Sequence, residues 1–346
     1  MSKHNAGIMF TEKKWIAVSV VILLVIVSFS GCVSRQEEVL NVYHAGSLSV
    51  PFDEIENEFE EANPEVDVRR EGGGSVATVK KVTEQGKEPD VVGVADYSLI
   101  PDLMYEGDKS SWTIRFAKNR MVIAYTEQSA HKEDINGSNW YEVLKRDEVK
   151  FGFSNPNDDP CGYRSQMVTI LAEDHYEEDQ IFEKLIEENT DISASGNTIS
   201  VPKDLNVNTE KVMVRSSEVD LMSALEAGEI DYLFIYQSVA EQHEGVEFIQ
   251  LPPQIDLSSV EYAENYGEVT LTRHTGETSI GKPIVYGVTI PSTAQNKDLA
   301  IEFVKFLLSA EGQDIMESNG QPPIDPPKVD NIDKIPERLK DSVEKR

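Results

Sequence analysis

The chain has 346 residues, enough for two domains with sizeable cores. It carries 62 Asp and Glu against 32 Lys and Arg, a formal net charge of -30. A nucleic-acid partner, which needs clustered basic side chains, is therefore excluded. With only two cysteines, a disulfide framework is not what holds the fold together.

The N-terminus reads as a targeting segment. Lys13 and Lys14 precede an apolar run over 15–29 that suits a secretory h-region and is short for a membrane span. Small residues then lead to Cys32 in a lipobox-like arrangement. Residues 1–32 are thus expected to be a signal peptide ending at a lipidated Cys32, with an uncleaved anchor as the alternative. Both readings tether the folded part to the outer face of the cell membrane. Cys161 is then a lone thiol with Arg164 but no His nearby in sequence, and is expected to pack in a loop.

Residues 37–42 predict a strand, followed by His44-Ala45-Gly46-Ser47 and a helix over 50–62, where Val50, Phe52, Ile55 and Phe59 recur at helical spacing. Asn63-Pro64 stops that helix. Gly46 and Ser47 therefore occupy a strand-to-helix turn, where a glycine lets a ligand approach and Ser47 offers a hydroxyl and an N–H; a plain helix cap is an equal reading of Ser47. The design repeats: a strand over 66–70, a flexible turn at Gly72-Gly73-Gly74, and Ser75 opening a helix to 82. The glycine run matches neither a nucleotide P-loop nor a dinucleotide fingerprint. A buried strand over 89–94 completes an alternation that predicts an open α/β sheet.

Two strand-like runs lie within 110–126, with 122–125 crossing into a second domain and 126–147 forming a polar connector and helix. Asn136-Gly137-Ser138 is a glycosylation sequon that marks surface. A strand over 149–153 opens into Ser154-Asn155-Pro156-Asn157-Asp158-Asp159-Pro160-Cys161, with a helix following over 163–173. Pro160 keeps Asp159 out of helical geometry and offers it forward from the strand's carboxyl end, although an isolated Asp there would be read as a cap. The acidic stretch 173–188 predicts a solvated helix, and 189–210 carries no legible chemistry. Glu218 falls in the first turn of a helix ending at Gly228, a position that acidic residues often take for the helix dipole alone. A strand over 231–236 puts Tyr236 at another carboxyl edge. Further strands are expected over 246–251, 269–272 and 283–290, the last returning from the second domain. One amphipathic helix is expected over 300–316, and the Pro-rich tail from 319 is expected to wrap a domain or fray.

These turns offer hydroxyls and N–H groups, which suit an oxyanion, but also two carboxylates, which repel one. The conflict resolves if the carboxylates bond to the central atom, which tungsten or molybdenum accepts by expanding its coordination and sulfur does not. Catalysis is not expected: Ser47 beside His44 is the one hydrolase-like pair, and neither Gly-x-Ser-x-Gly nor His-Glu-x-x-His occurs.

Three stretches, Leu40-Asn41-Val42-Tyr43-His44-Ala45-Gly46-Ser47-Leu48, Asp159-Pro160-Cys161-Gly162-Tyr163-Arg164-Ser165 and Leu225-Glu226-Ala227-Gly228-Glu229-Ile230-Asp231-Tyr232, resemble the archaeal tungstate/molybdate-binding lipoproteins of ABC transporters, and the likeness spans essentially the mature chain. The resemblance implies an α/β fold, a two-lobed type II periplasmic-binding-protein clamshell with two crossover strands as the hinge. Lobe I would comprise 38–121 plus 286–346, and lobe II 122–285. It implies that Gly46, Ser47, Ser75, Cys161 and Tyr236 hydrogen-bond the oxyanion's oxygens. Asp159 and Glu218 would approach the metal and make it six-coordinate, with Pro160 shaping the loop. The implied partners are the oxyanion, the ABC permease and the membrane through its lipid anchor, with no cofactor and a monomeric chain. The alternative keeps the fold and makes sulfate or phosphate the ligand.

Overall fold

The computed structural model describes residues 38–345. The signal-peptide and lipidation readings, Cys32 included, lie outside the described residues. Along the chain, β1 (Glu38–Ala45), α1 (Ser49–Ala62), β2 (Val66–Gly73), α2 (Ser75–Thr83), β3 (Val91–Val94) and β4 (Ile114–Lys118) come first. β5 (Met121–Thr126), β6 (Phe151–Ser154), α3 (Pro160–Tyr176), β7 (Ser193–Ser195), β8 (Thr198–Ser200), β9 (Val212–Arg215), α4 (Val219–Glu226), β10 (Tyr232–Tyr236) and β11 (Val246–Gln250) follow. The chain closes with β12 (Thr270–Thr272), β13 (Thr278–Ile280), β14 (Val285–Thr289), α5 (Lys297–Leu307), α6 (Ala310–Ser318), β15 (Pro323–Val329) and β16 (Glu344–Lys345).

A seven-stranded sheet runs β16-β15-β4-β14-β3-β1-β2, a five-stranded sheet runs β11-β5-β10-β6-β9, and a small one runs β13-β12-β8-β7. β1 and β3 are parallel, as the strand and helix alternation predicts, while the returning β14 is antiparallel to β3 and β4. β10 reads Tyr-Leu-Phe-Ile-Tyr and is buried along its whole length, the mark of a central strand covered on both faces. α1 lays Phe52, Ile55 and Phe59 on the first sheet, and both phenyl rings meet Phe303 of α5 edge-on, at 6.1 and 5.3 Å.

The chain leaves the seven-stranded sheet after Lys118, enters the five-stranded sheet at Met121 and returns to the first at Val285. Its linking segments lie side by side, with the Met121 N–H donating to Asp256 O and the Ile284 N–H to Leu257 O, each at 2.8 Å. This is the two-lobed α/β clamshell expected from the sequence, each lobe built on one large sheet and the strand ends facing one cleft.

Several local expectations change. β2 runs through Gly73, so only Gly74 remains as the turn before Ser75. α3 starts at Pro160, three residues earlier than expected, because a proline fits a first helical position whose N–H would have no partner. The acidic stretch 173–188 is not one helix: α3 ends at Tyr176, and Glu177 after it takes a left-handed φ of 57°. The expected helix over 300–316 is two, since Ser309 caps α6 by accepting the Gly312 N–H at 3.2 Å and a side chain on Gly312 would meet Phe306 O. The tail does not fray: β15 pairs with β4, and Gln321 is fully buried.

Candidate functional site

Asp159 ends the loop after β6 and caps α3, with φ -138° and ψ 132°. One carboxylate oxygen accepts the Cys161 N–H at 3.3 Å and the other accepts the Glu218 N–H at 3.1 Å. The plain cap reading is therefore correct and incomplete, because the second oxygen ties α3 to the start of α4. Glu218 immediately precedes α4, not within its first turn as expected, and Ser217 Oγ donates to its carboxylate at 3.2 Å. Both acids are at most 2% exposed. Burial, then the charge of Asp159 and a hydrogen bond to it, push the Glu218 carboxyl well above its usual range. Among the described residues no three His, Cys, Asp or Glu side chains gather as a metal-ion site, so the pair has no third acid of the kind a calcium or magnesium site uses.

The hydroxyls of Ser47, Ser75 and Tyr236 share one arrangement. Ser47 Oγ accepts from Tyr286 OH at 3.0 Å, and Tyr286 OH in turn accepts from Asn119 Nδ2 at 2.8 Å. Ser75 Oγ accepts the Ala95 N–H at 3.0 Å. The Tyr236 phenol oxygen accepts from Arg164 Nη1 at 2.6 Å. Each oxygen thus has a protein donor on its acceptor side, and no acceptor among the described residues takes its proton. Three buried O–H groups are left to donate to an acceptor-rich ligand.

Backbone from both sheets closes on this cluster. A Cβ on Gly46 would stand 2.7 Å from Ser217 Oγ, and one on Gly74 would stand 2.5 Å from Asp158 O and 2.9 Å from Ser216 O. The Ala77 N–H donates to Asp158 O at 3.2 Å across the same gap. Cys161 is fully buried, its Sγ 3.7 Å from Phe234 O, and burial followed by the charges of Glu218 and Asp159 pushes its thiol up, so it is an uncharged group here. Gly46, Ser47, Ser75, Asp159, Pro160, Cys161, Glu218 and Tyr236 are all buried. His44, the other half of the hydrolase-like pair, turns away and bonds Ala45 O at 2.8 Å.

Sequence reasoning missed Tyr286, Asn119, Ala95 and Asp96, and passed over Arg164 as a mere neighbour of Cys161. Asn119 lies on a linking segment and Tyr286 near the start of β14, where nothing in the local pattern separates a hydrogen-bonding side chain from a packing one. Arg164 carried a signal: an arginine one turn into a helix that is buried from Pro160 to Ala172 must have partners.

A family model described as bacterial extracellular solute-binding protein matches residues 40–321. The chain belongs to that family. Among its relatives, a molybdate/tungstate-binding protein of Thermococcus kodakarensis is 43% identical over 342 residues, covering 94% of this chain and 95% of the relative. A molybdate/tungstate-binding protein of Pyrococcus abyssi is 45% identical over 313 residues, covering 88% and 90%. Of solved structures, the periplasmic molybdate-binding protein of Azotobacter vinelandii superposes with TM-score 0.57 at 16% identity, over 82% of this chain and 98% of that one. The sulfate-binding protein SubI of Mycobacterium tuberculosis gives 0.59 at 16% identity, over 84% and 88%. At such identities these two show the fold alone.

Proposed function

We propose that this protein captures tungstate or molybdate between its lobes and delivers it to the permease of an ABC importer. The observation that carries the reading is the abutting pair of buried carboxylates, Asp159 and Glu218, together with the uncommitted buried hydroxyls of Ser47, Ser75 and Tyr236. Two buried acids with no cation in direct contact among the described residues disfavour sulfate or phosphate, whose central atoms do not add ligands. A tungsten or molybdenum centre accepts both carboxylates and becomes six-coordinate. Ser47, Ser75, Tyr236 and the turns at Gly46 and Cys161 then hydrogen-bond the four oxygens, and Pro160 fixes the angle at which Asp159 is presented. The identity to the two molybdate/tungstate-binding relatives supports the same ligand class.

Lobe I is assigned to 38–121 plus 286–346 and lobe II to 122–285. Cys32, lipidated after removal of the signal peptide, anchors the chain to the outer face of the cell membrane. The protein acts as a monomer, since closure and docking need no second copy. It has no cofactor and no reaction to catalyse: binding is the activity, and docking on the permease favours the open form that releases the ligand.

Calorimetric titration of the full chain in mild detergent with tungstate, molybdate, sulfate and phosphate tests the reading. Strong tungstate and molybdate binding with no sulfate heat, weakened in both Asp159→Ala and Glu218→Ala, is the expected outcome. Sulfate or phosphate binding that survives both changes would make the carboxylates simple structural groups and the protein a general anion receptor.

A further inference from the structure

Arg164 lies one turn into α3, the helix that Asp159 caps, and is 2% exposed. Its Nη1 donates in two directions: to the Tyr236 phenol at 2.6 Å, at the end of β10, and to the carbonyl oxygen of Ala95 at 2.9 Å, just past β3. Its Nη2 stands 3.4 Å from the Asp96 carboxylate and has no hydrogen-bond partner among the described residues. Asp96 is equally buried and is also held by Tyr163 OH at 2.7 Å and Lys282 Nζ at 3.0 Å. So the arginine and the phenol it grips belong to the five-stranded sheet and its helix, whereas the carbonyl and the carboxylate that compensate the arginine belong to the seven-stranded sheet.

A buried guanidinium without a countercharge is strongly unfavourable, so Arg164 has its carbonyl partner and its countercharge only while residues 95 and 96 are pressed against α3. A phenol oxygen that accepts from a guanidinium has its own proton turned away from it, and the adjacent positive charge makes that proton a stronger donor. Ala95 adds a second link, because its N–H occupies the acceptor side of Ser75 while its carbonyl holds Arg164.

We propose that Arg164 is a positioning residue that makes Tyr236 a hydrogen-bond donor to the bound oxyanion only when the lobes are closed, because the groups that fix Arg164 come from across the cleft. The proposal deepens the oxyanion reading above and rests on it. Arg164 also supplies, one hydrogen bond removed from the ligand, positive charge to a site whose own ionisable groups, Asp159, Glu218, Cys161 and Tyr236, are all acids. Closure and ligand recognition are thereby one event, since opening withdraws Ala95 and Asp96 and leaves the phenol unaligned.

The test is a double-mutant cycle on tungstate affinity, using the full chain in mild detergent with wild type, Arg164→Met, Tyr236→Phe and the double variant. Each single change is expected to weaken binding about tenfold, mainly through faster release, and the double to be no more than about twofold weaker than the worse single. Asp96→Asn, which touches neither Tyr236 nor the ligand, is expected to weaken binding in the same way and to reduce the compaction that tungstate produces in solution scattering. Additive losses, or wild-type affinity in Arg164→Met, overturn the proposal. If Arg164→Met does not fold, Arg164→Lys and Asp96→Asn take its place, and wild-type affinity and compaction in both overturn it. A wild-type protein that ignores every oxyanion overturns the reading beneath and this proposal with it, whereas a tungstate-binding wild type with an additive cycle overturns this proposal alone.

Discussion

A side-chain oxygen of Asp159 accepts the backbone N–H of Glu218 at 3.1 Å, joining two acids that are 59 residues apart in sequence. The two therefore differ in what they do for the unliganded fold. Asp159 caps α3 and satisfies a buried N–H of the α4 turn, so Asp159→Ala should cost about 1–3 kcal/mol. Glu218 is held above its usual carboxyl range, so charging it opposes folding as pH rises past its unfolded value, and Glu218→Gln removes that cost at neutral pH. Denaturant unfolding at pH 7 without ligand should move in opposite directions for the two variants, although both are expected to weaken tungstate binding. Equal destabilisation by both would show that Glu218 is an ordinary structural carboxylate.

Gly74 is where the strand-to-helix turn of one sheet meets the Asp158 carbonyl from the other. A methyl group placed 2.5 Å from that backbone oxygen cannot be accommodated without separating the two segments. Gly74→Ala is expected to lower tungstate affinity at least about tenfold and to abolish ligand-induced compaction in solution scattering, with little change in helix content. Full compaction in this variant would place the closing contact elsewhere.

His44 is buried against Phe52, their ring centroids 5.5 Å apart, and burial lowers its pKa to about 4. The folded state resists protonation while the unfolded chain takes up a proton near pH 6.5, so stability falls as pH drops through that window. The loss should approach roughly 3 kcal/mol by pH 4. Unfolding free energies measured between pH 7 and 4 should show a shallower slope in His44→Phe, and an unchanged slope would assign the acid sensitivity to other groups.

Removal of the chain after Gly320 tests the tail. β15 covers the edge of β4, and Gln321 Nε2 donates to Ser47 O at 2.7 Å and to Ser238 Oγ at 3.1 Å. The truncated chain should expose a strand edge, aggregate on warming and bind tungstate more weakly, as light scattering and calorimetry would register. A truncated chain as soluble and as tight-binding as the intact one would make the tail dispensable.

Local chemistry was enough for much of this protein. Strand and helix alternation through the first hundred residues, the glycine turns before Ser47 and Ser75, and Pro160 behind Asp159 act through φ restriction and nearest neighbours, so they can be read from a short window of sequence. The same holds for Tyr236 at the end of an all-apolar strand. Helix boundaries were less legible: Ser309 and Gly312 split the expected 300–316 helix because Gly312 packs against backbone, a contact that periodicity does not register. Tertiary structure alone decided that Asp159 and Glu218 share a hydrogen bond, that Tyr286 and Asn119 stand behind Ser47, and that Arg164 reaches Ala95 and Asp96 across the cleft. Those relations join residues separated by 59 to 239 positions. Their energies come from burial and from charges brought together by folding, quantities that no residue possesses until both sheets are in place.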